Sequence, residues 1–326
     1  MVRRLVFSVL FALSCGTSTS PRATVDPDTG AAADSGDQPQ DDGGLADGGG
    51  GTDGAGSDAA YDGGVGPANL RVIAANLTSG GNQSYDPGDG IHILQGLKPD
   101  VVLLQEFNYG ANGEADARKM VDTAFGPTFA FYRETGAQIP NGIVSRWPIT
   151  QSGTWTDPQV QNRGFAYAKL QVPGAHPLWA VSMHLLTSSA TDRGLEAAAV
   201  VAQVNTVVPK GDYLVIGGDF NTSSRGEACI TTFSQIVVTP GPYPVDNLGN
   251  ENTSGTRSKP HDWVLGSAEL VQIQIPTTVG AASFPAGLVF DSRVYTPLTD
   301  VPPVVVGDSA ATNMQHMAVV KDFKIP

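Results

Sequence analysis

Seven polar side chains stand at the edges of apolar, strand-like runs: Asn76, Glu106, His184, Asp219, Asn221, Asp262 and His316. Carboxylate and amide oxygens such as those of Glu106 and Asn76 are the ligands a hard divalent cation prefers. A histidine with a carboxylate partner can take a proton from water, because the carboxylate fixes the ring tautomer and stabilises the imidazolium as it forms. Asp219 and Asn221 are two residues apart, so on an extended segment both point to the same side. Each residue alone has an ordinary explanation. Asn or Asp after a strand is commonly a turn former, Glu106 could be a solvated strand end, and His184, between Met183 and Leu185, could be a satisfied core histidine. Asp262 could simply pair with a neighbouring base. Their joint occurrence at successive strand ends is the informative pattern.

The elements that must position them are legible as periodicity. Leu70 to Asn76 is a β-favouring run with a polar end, and Val101 to Glu106 is apolar on both faces, as in a strand buried between layers. Further strands are expected over Gly142 to Arg146, Phe165 to Val172, Leu178 to His184, Tyr213 to Gly217 and Asp262 to Gly266. Ala117, Met120, Val121, Ala124 and Phe125 form a helical stripe closed by Gly126-Pro127. Helices are also expected over Ile91 to Leu97, stopped before Pro99, and over Asp192 to Val208. The mixed order lacks a strict βαβ rhythm and predicts an α+β domain, with two sheets packed together and helices outside.

Short strings surround these residues. They are Pro99 to Glu106 (PDVVLLQE), Asn141 to Ile149 (NGIVSRWPI), Val181 to Leu185 (VSMHL), Gly217 to Asn221 (GGDFN), His261 to Leu265 (HDWVL) and Gln315 to Val319 (QHMAV). In this order they resemble the six motif blocks of the endonuclease/exonuclease/phosphatase superfamily, and they cover nearly all of residues 69 to 326. The resemblance implies the four-layer α/β/β/α sandwich of deoxyribonuclease I, bacterial sphingomyelinase and abasic-site endonucleases. It also implies hydrolysis of a phosphodiester, which needs a nucleophilic water, neutralisation of the nonbridging oxygens and help for the leaving alkoxide.

By this resemblance His316 is the general base and Asp262 its partner. Asn221 donates to the phosphoryl oxygens, Asp219 positions water or metal, and His184 holds the phosphate or protonates the leaving oxygen. Arg163 and Asn141 join Asn221 as substrate-binding residues. The metal ligands are Glu106, Asn76 and Gln315, and the cofactor is Mg²⁺, with Mn²⁺ or Ca²⁺ as alternatives. Gln315 departs from the superfamily pattern, in which Asp precedes the terminal histidine. An uncharged amide there predicts weaker metal binding, and Asp308, seven residues upstream, is the residue that could fold back to replace the lost charge.

Substrate is less legible. Nucleic acid is the leading expectation and phospholipid the second, with Tyr109, Tyr132 and Arg133 as the side chains that could meet bases and phosphates. A third reading is a catalytically impaired surface binding module, for which Gln315 would be the first lost residue. The 54 residues between Asp262 and His316 contain Phe284 to Phe290 and Tyr295 to Leu298, apolar segments that could form a flap, a lipid-facing surface or an additional hairpin. Nothing in the sequence calls for an obligate protein partner.

Composition divides the chain. Residues 16–67 are almost entirely Gly, Ala, Asp, Ser, Pro and Thr, with ten acidic residues against Arg22. Such a stretch cannot bury enough apolar surface to offset its ordering entropy and is expected to be a flexible acidic tether. Residues 68–326 hold 22 acidic and 16 basic residues, a mildly negative balance that argues against tight nonspecific nucleic-acid binding through Lys and Arg. Residues 1–15 have the layout of an export signal, Arg3-Arg4 followed by an apolar run from Leu5 to Leu13 too short to span a bilayer. Ala12 to Gly16 resembles a bacterial lipoprotein processing site, which implies lipidation of Cys15 and a membrane anchor, with a plain secretory signal as the alternative. The expected location is across the inner membrane, anchored at the cell envelope or surface, or else extracellular. Cys229 is the only other cysteine, which excludes an intradomain disulfide and marks it as a small buried hydrophobe.

Overall fold

The computed structural model describes residues 68–326; the expected export signal, Cys15 and the tether over residues 16–67 lie outside the described residues. The strands are β1 (Ala68–Ala75), β2 (Val101–Leu104), β3 (Ala130–Arg133), β4 (Gly142–Ser145), β5 (Ile149–Trp155), β6 (Phe165–Leu170), β7 (Leu178–His184), β8 (Tyr213–Asp219), β9 (Asp262–Gly266), β10 (Gln274–Ile275), β11 (Thr277–Val279), β12 (Ala282–Phe284), β13 (Leu288–Phe290) and β14 (Ala318–Ile325). The helices are α1 (Asp89–Leu97), α2 (Glu114–Phe125), α3 (Ala190–Val207), α4 (Ala228–Phe233) and α5 (Ala268–Val271). Among the described residues no helix is long and apolar enough to cross a membrane.

Two sheets form the centre. The first runs β10-β14-β1-β2-β4-β3, with β13 also paired to β14, and the second runs β5-β6-β7-β8-β9. Strand alternation explains how they stack. In β1, Leu70, Val72 and Ala74 face one cluster while Ile73 and Ala75 face another; in β2, Val101 and Leu103 separate from Val102 and Leu104 in the same way. The inner set meets Ala166, Ala168, Ala180, Val215 and Val264 of the second sheet. The outer set of the first sheet packs on Leu94, Met120 and Val121 of α1 and α2, and the outer face of the second sheet packs on Ala197, Val200 and Phe233 of α3 and α4. Helix, sheet, sheet, helix is thus the layer order, and each sheet is apolar on both faces because both are covered.

Ser189 caps α3, its hydroxyl accepting from Asp192 N at 3.2 Å, a contact worth about 1 kcal/mol. Cys229, on α4, is fully buried in the outer cluster that also holds the apolar residues of α3. The apolar segments between Asp262 and His316 belong to the body of the molecule. Phe284, Leu288, Val289, Phe290 and Tyr295 are buried with the α1 and α2 layer, and β11 and β12 form a hairpin there, so these segments are not a flap.

Candidate active site

Register brings the polar strand ends together. β7 and β8 run parallel with His184 opposite Asp219, and β8 and β9 run antiparallel with Asp219 opposite Asp262. All three have the parity of the inner residues of their strands: Ala180 and Ser182 for His184, Val215 and Gly217 for Asp219, Val264 for Asp262. They therefore point between the sheets. Asn76 continues the inner parity of β1 from the facing sheet, and His316 precedes β14, which pairs antiparallel to β1. Gly217 and Gly218 allow this close approach. A Cβ at Gly217 would overlap the Trp263 carbonyl oxygen, and one at Gly218 (φ +131°) would overlap that of Met183.

Glu106 and Asn221 reach the site by leaving the extended conformation. Glu106 has φ 46° and Asn221 φ 51°, the left-handed region that costs a residue with a Cβ and that recurs at functional positions. Asn tolerates it better than Glu, because its short amide can bond locally. The Glu106 carboxylate accepts from Thr78 Oγ1 at 3.0 Å and from Asn76 Nδ2 at 3.4 Å. Asn221 N donates to Asp219 Oδ1 at 2.9 Å, and its side-chain amide donates to Leu185 O at 3.0 Å.

Asp219 Oδ2 is the hub. It lies 3.3 Å from Asn76 Nδ2, 3.3 Å from His184 Nε2 and 3.4 Å from His316 Nε2. The other nitrogen of His316, Nδ1, sits 2.9 Å from Asp262 Oδ2. Asp262 is held from behind, its backbone N–H donating to Thr253 Oγ1 at 2.7 Å. The other nitrogen of His184, Nδ1, faces Glu106 Oε1 at 3.9 Å. Glu106, Asn76, His184, Asp219, Asn221, Asp262 and His316 are all buried.

The two histidines are driven in opposite directions. Burial and the Arg163 guanidinium pull the His184 pKa down to about 3, so this ring is neutral. Burial also disfavours the His316 imidazolium, but the Asp219 and Asp262 carboxylates outweigh it and lift its pKa to about 10. Asp219 is held down to about 2: burial opposes its charge, and the rings of His316 and His184 more than compensate. Asp262 is pushed up to about 6 by burial, against the pull of His316. Burial raises Glu106 as well.

Other expected residues stand one step away. Arg163 is buried, with Nε donating to His184 O at 2.5 Å, Nη2 to Leu185 O at 3.3 Å and Nη1 to Asn162 Oδ1 at 3.1 Å. It therefore fixes the backbone that presents His184. Asn141 is fully buried, donating from Nδ2 to Gly164 O at 2.7 Å, and Glu134 bonds both Asn141 N and Gly164 N. Gln315 is half-buried; its carbonyl accepts from Gly255 N at 2.6 Å, and its side-chain amide bonds none of the described site residues. Asp308 does not fold back: its carboxylate accepts from Val305 N at 2.9 Å and sits 3.3 Å from His92 on α1, which ties it to its own turn. Arg133 donates to Phe107 O at 2.6 Å, Tyr132 bonds Thr154 at 2.7 Å, and Tyr109 packs on the α1 and α2 layer. Sequence reasoning missed Thr78, Thr253 and Glu134. For Thr78 a signal existed, since it lies two residues after Asn76 and so repeats its parity.

The model of the Endonuclease/Exonuclease/phosphatase family matches residues 83–281, more than half of the chain. The chain belongs to this family. Family members are typically hydrolytic phosphoesterases that depend on a divalent metal. Among solved structures, an endonuclease/exonuclease/phosphatase from Beutenbergia cavernae DSM 12333 is similar over 79% of this chain and 72% of its own, with a TM-score of 0.54 at 16% identity. One from Bacteroides vulgatus is similar over 79% of this chain and 100% of its own, with a TM-score of 0.54 at 13% identity. The human Nocturnin catalytic domain with bound sulfate covers 78% of this chain and 94% of its own, with a TM-score of 0.52 at 12% identity. These likenesses are of fold. No curated protein matches the chain by sequence.

The site's chemistry fits a divalent metal on the chain's own evidence. Two buried atoms, His184 Nδ1 and Asp262 Oδ1, find no hydrogen-bond partner among the described residues. His184 Nδ1 and Glu106 Oε1 are both acceptors when the carboxylate is ionised, an arrangement that calls for a cation or a proton between them. Asp219, Asp262 and His316 also bring ligand atoms within 4.8 Å of one another. The Glu106 side is the better match to a hard ion, because Glu106 and Asp219 offer carboxylate oxygens beside the Asn76 amide, while Asp262 Oδ2 is already engaged with His316.

Proposed function

We propose that this member of the Endonuclease/Exonuclease/phosphatase family is a metal-dependent phosphodiesterase, acting first on nucleic acid. The observation that carries the reading is the chain of contacts Asp262–His316–Asp219–His184, which closes onto Glu106 and Asn76 in one buried cluster. Glu106 and Asp219 would hold Mg²⁺, with Asn76 joining by its amide oxygen once the amide turns over from its present contacts. When bound, the cation would neutralise the phosphoryl oxygens and offset the carboxylates that bind the His316 proton so tightly.

His316 then serves as general base toward water, and Asp262 keeps its Nδ1 protonated so that Nε2 is the accepting atom. Asp219 orients the water or the ring through its Oδ2, which both histidines share. His184, neutral, carries its one proton on Nε2 toward Asp219 Oδ2 and donates to the phosphate or the leaving oxygen by exchanging that contact. Asn221 donates to the phosphoryl group by exchanging its bond to Leu185 O. Arg163 and Glu134 position the backbone around His184 and Asn141. An intact Asp262–His316 pair argues against the impaired-module reading, since an unused pair of buried charges would be a cost with no return.

A phospholipid substrate is the second reading, favoured by Leu248, Val305 and Val306, which are 77%, 54% and 59% exposed. The test uses the full chain with plasmid DNA, bis-p-nitrophenyl phosphate and sphingomyelin in separate reactions, each with Mg²⁺ or EDTA. Mg²⁺-dependent cleavage of DNA and of the small diester, lost with EDTA and in His316→Ala, is expected. Turnover indifferent to both EDTA and His316→Ala overturns the proposal, and cleavage of sphingomyelin alone selects the second reading. We also propose export and a lipid anchor at Cys15. Labelled fatty acid should enter the wild-type chain in cells and not Cys15→Ala.

A further inference from the structure

β14 breaks its own pattern at Lys321. Val319 and Phe323, its neighbours of equal parity, lie in the core between the sheets, so Lys321 also points inward. It is 9% exposed. Its stem is confined, since a Cβ on Gly287 would lie 3.0 Å from Lys321 Cγ and 3.1 Å from Pro244 Cγ. Its ammonium makes no hydrogen bond and no ion pair among the described residues. Asp322, next in sequence, is taken by Arg71 at 2.7 Å.

The lysine lines a cleft at the open edge of the sandwich, bounded also by Arg225, Tyr243, Glu251, Asp262 and Trp263. The second charge there has the same sign. Arg225 lies over Tyr243 at 4.0 Å and Trp263 at 4.9 Å, donating from Nε to Glu251 Oε2 at 3.1 Å and from Nη2 to Glu251 O at 2.6 Å. Its Nη1 bonds nothing among the described residues. Asp262 borders the cleft, but its one partnered oxygen is committed to His316. Glu251 thus pairs with Arg225 alone and leaves Lys321 without a counter-charge among the described residues. A buried charge without a counter-charge is disfavoured.

We propose that this cleft binds a small oxyanion, a phosphate or carboxylate group held between the Lys321 ammonium and the free edge of the Arg225 guanidinium. An ammonium is a point charge and a guanidinium a planar fork, and the pair suits oxygens of one tetrahedral or planar anion. The cleft shares Asp262 as a wall with the catalytic cluster, but neither Lys321 nor Arg225 bonds any residue of that cluster. Burial and Arg225 lower the Lys321 pKa to about 8, and an anion set between the two cations would favour the charged amine.

The experiment is thermal melting and calorimetric titration of the full chain in EDTA, with sodium phosphate or sodium acetate added at ionic strength held constant by chloride. The wild-type chain should melt higher as phosphate or acetate rises and saturate at one site, the more effective salt identifying the anion class. Lys321→Met should melt at least as high as wild type in chloride alone, having lost an unpaired buried charge, and should bind the anion at least tenfold more weakly. Arg225→Met, which leaves the lysine in place, should also weaken binding about tenfold. His316→Ala should respond as wild type does. The proposal fails if neither salt moves the wild-type chain, if Lys321→Met and Arg225→Met titrate like wild type, or if only His316→Ala loses the response, which would put the anion in the catalytic pocket.

Discussion

Asp262→Asn preserves the size of a side chain and deletes its charge. Asp262 Oδ2 lies 2.9 Å from His316 Nδ1, and both residues are more than nine-tenths buried. The amide oxygen can still accept from the ring, so orientation survives in part while the charge that stabilises the imidazolium is gone. Breaking a buried ion pair by removing one partner costs about 3–5 kcal/mol. That figure is a loss of stability; the rate should lose up to what a positioned acid–base group supplies, roughly 10²- to 10⁴-fold. Asp219 still faces the opposite ring nitrogen at 3.4 Å, so the loss in kcat/KM should fall in the lower part of this range, about 10²- to 10³-fold. The assay is hydrolysis of bis-p-nitrophenyl phosphate with saturating Mg²⁺ across pH 5 to 10. Because Asp262 helps to lift the His316 pKa, the limb of the profile that reports His316 should move to lower pH in the variant. If the two residues act as a unit, the double variant Asp262→Asn/His316→Ala should be no slower than His316→Ala. A wild-type rate, or a limb that stays put or moves to higher pH, would refute the assignment of Asp262 as the partner of the base.

Gly218→Ala should abolish soluble folding or lower the melting temperature sharply, since the added methyl overlaps the Met183 carbonyl oxygen and φ +131° already disfavours alanine; circular dichroism melts check this. His184, held neutral to about pH 3 in the fold but titrating near 6.5 when unfolded, should contribute a loss of stability to the EDTA-treated protein as pH falls from about 6.5 toward 3, on the order of 1.4 kcal/mol per unit. Asp262, raised to about 6, contributes the opposite slope below that pH, so the His184 share is read as wild type minus His184→Asn. His316 adds no slope in that window because it is charged in both states at its lower end. Urea midpoints should show a flatter acid limb in His184→Asn. Gln315→Asp should lower the Mg²⁺ concentration for half-maximal activity several-fold by adding a charge beside His316; overlapping titration curves would show that residue 315 does not reach the metal. Thr78→Val removes the 3.0 Å bond to Glu106 and should raise the same half-saturation point, read in the same titration.

The layering and the site differ in how visible they were. Two-faced apolar runs such as Val101 to Leu104 and Tyr213 to Ile216 announce a sheet covered on both sides, and parity alone sends Asn76, His184, Asp219 and Asp262 inward. Glu106 was found from its motif, and its backbone was not foreseeable, because the left-handed turn cancels the alternation that would have sent it outward. β5 was missed because Thr150, Gln151, Ser152 and Thr154 make it a polar strand at the edge of its sheet. β10 to β13 are two or three residues long, below the length at which a period can be read. Arg163 and Asn141 looked like substrate ligands, but partners such as the carbonyls of His184, Leu185 and Gly164 are distant in sequence and appear only in the fold. Asp308 shows the converse error, a charge close in sequence to His316 that the chain ties to α1.

Asn76 and Glu106 come from one sheet, and His184, Asp219 and Asp262 come from the other. Anything that grips residues from both acts as a rivet across the seam of the sandwich. Slight slippage of one sheet on the other would scatter these groups well before the chain unfolds. Catalytic competence should therefore vanish earlier on heating than secondary structure does, and a ligand in the pocket should slow amide exchange in β1 and β8 together.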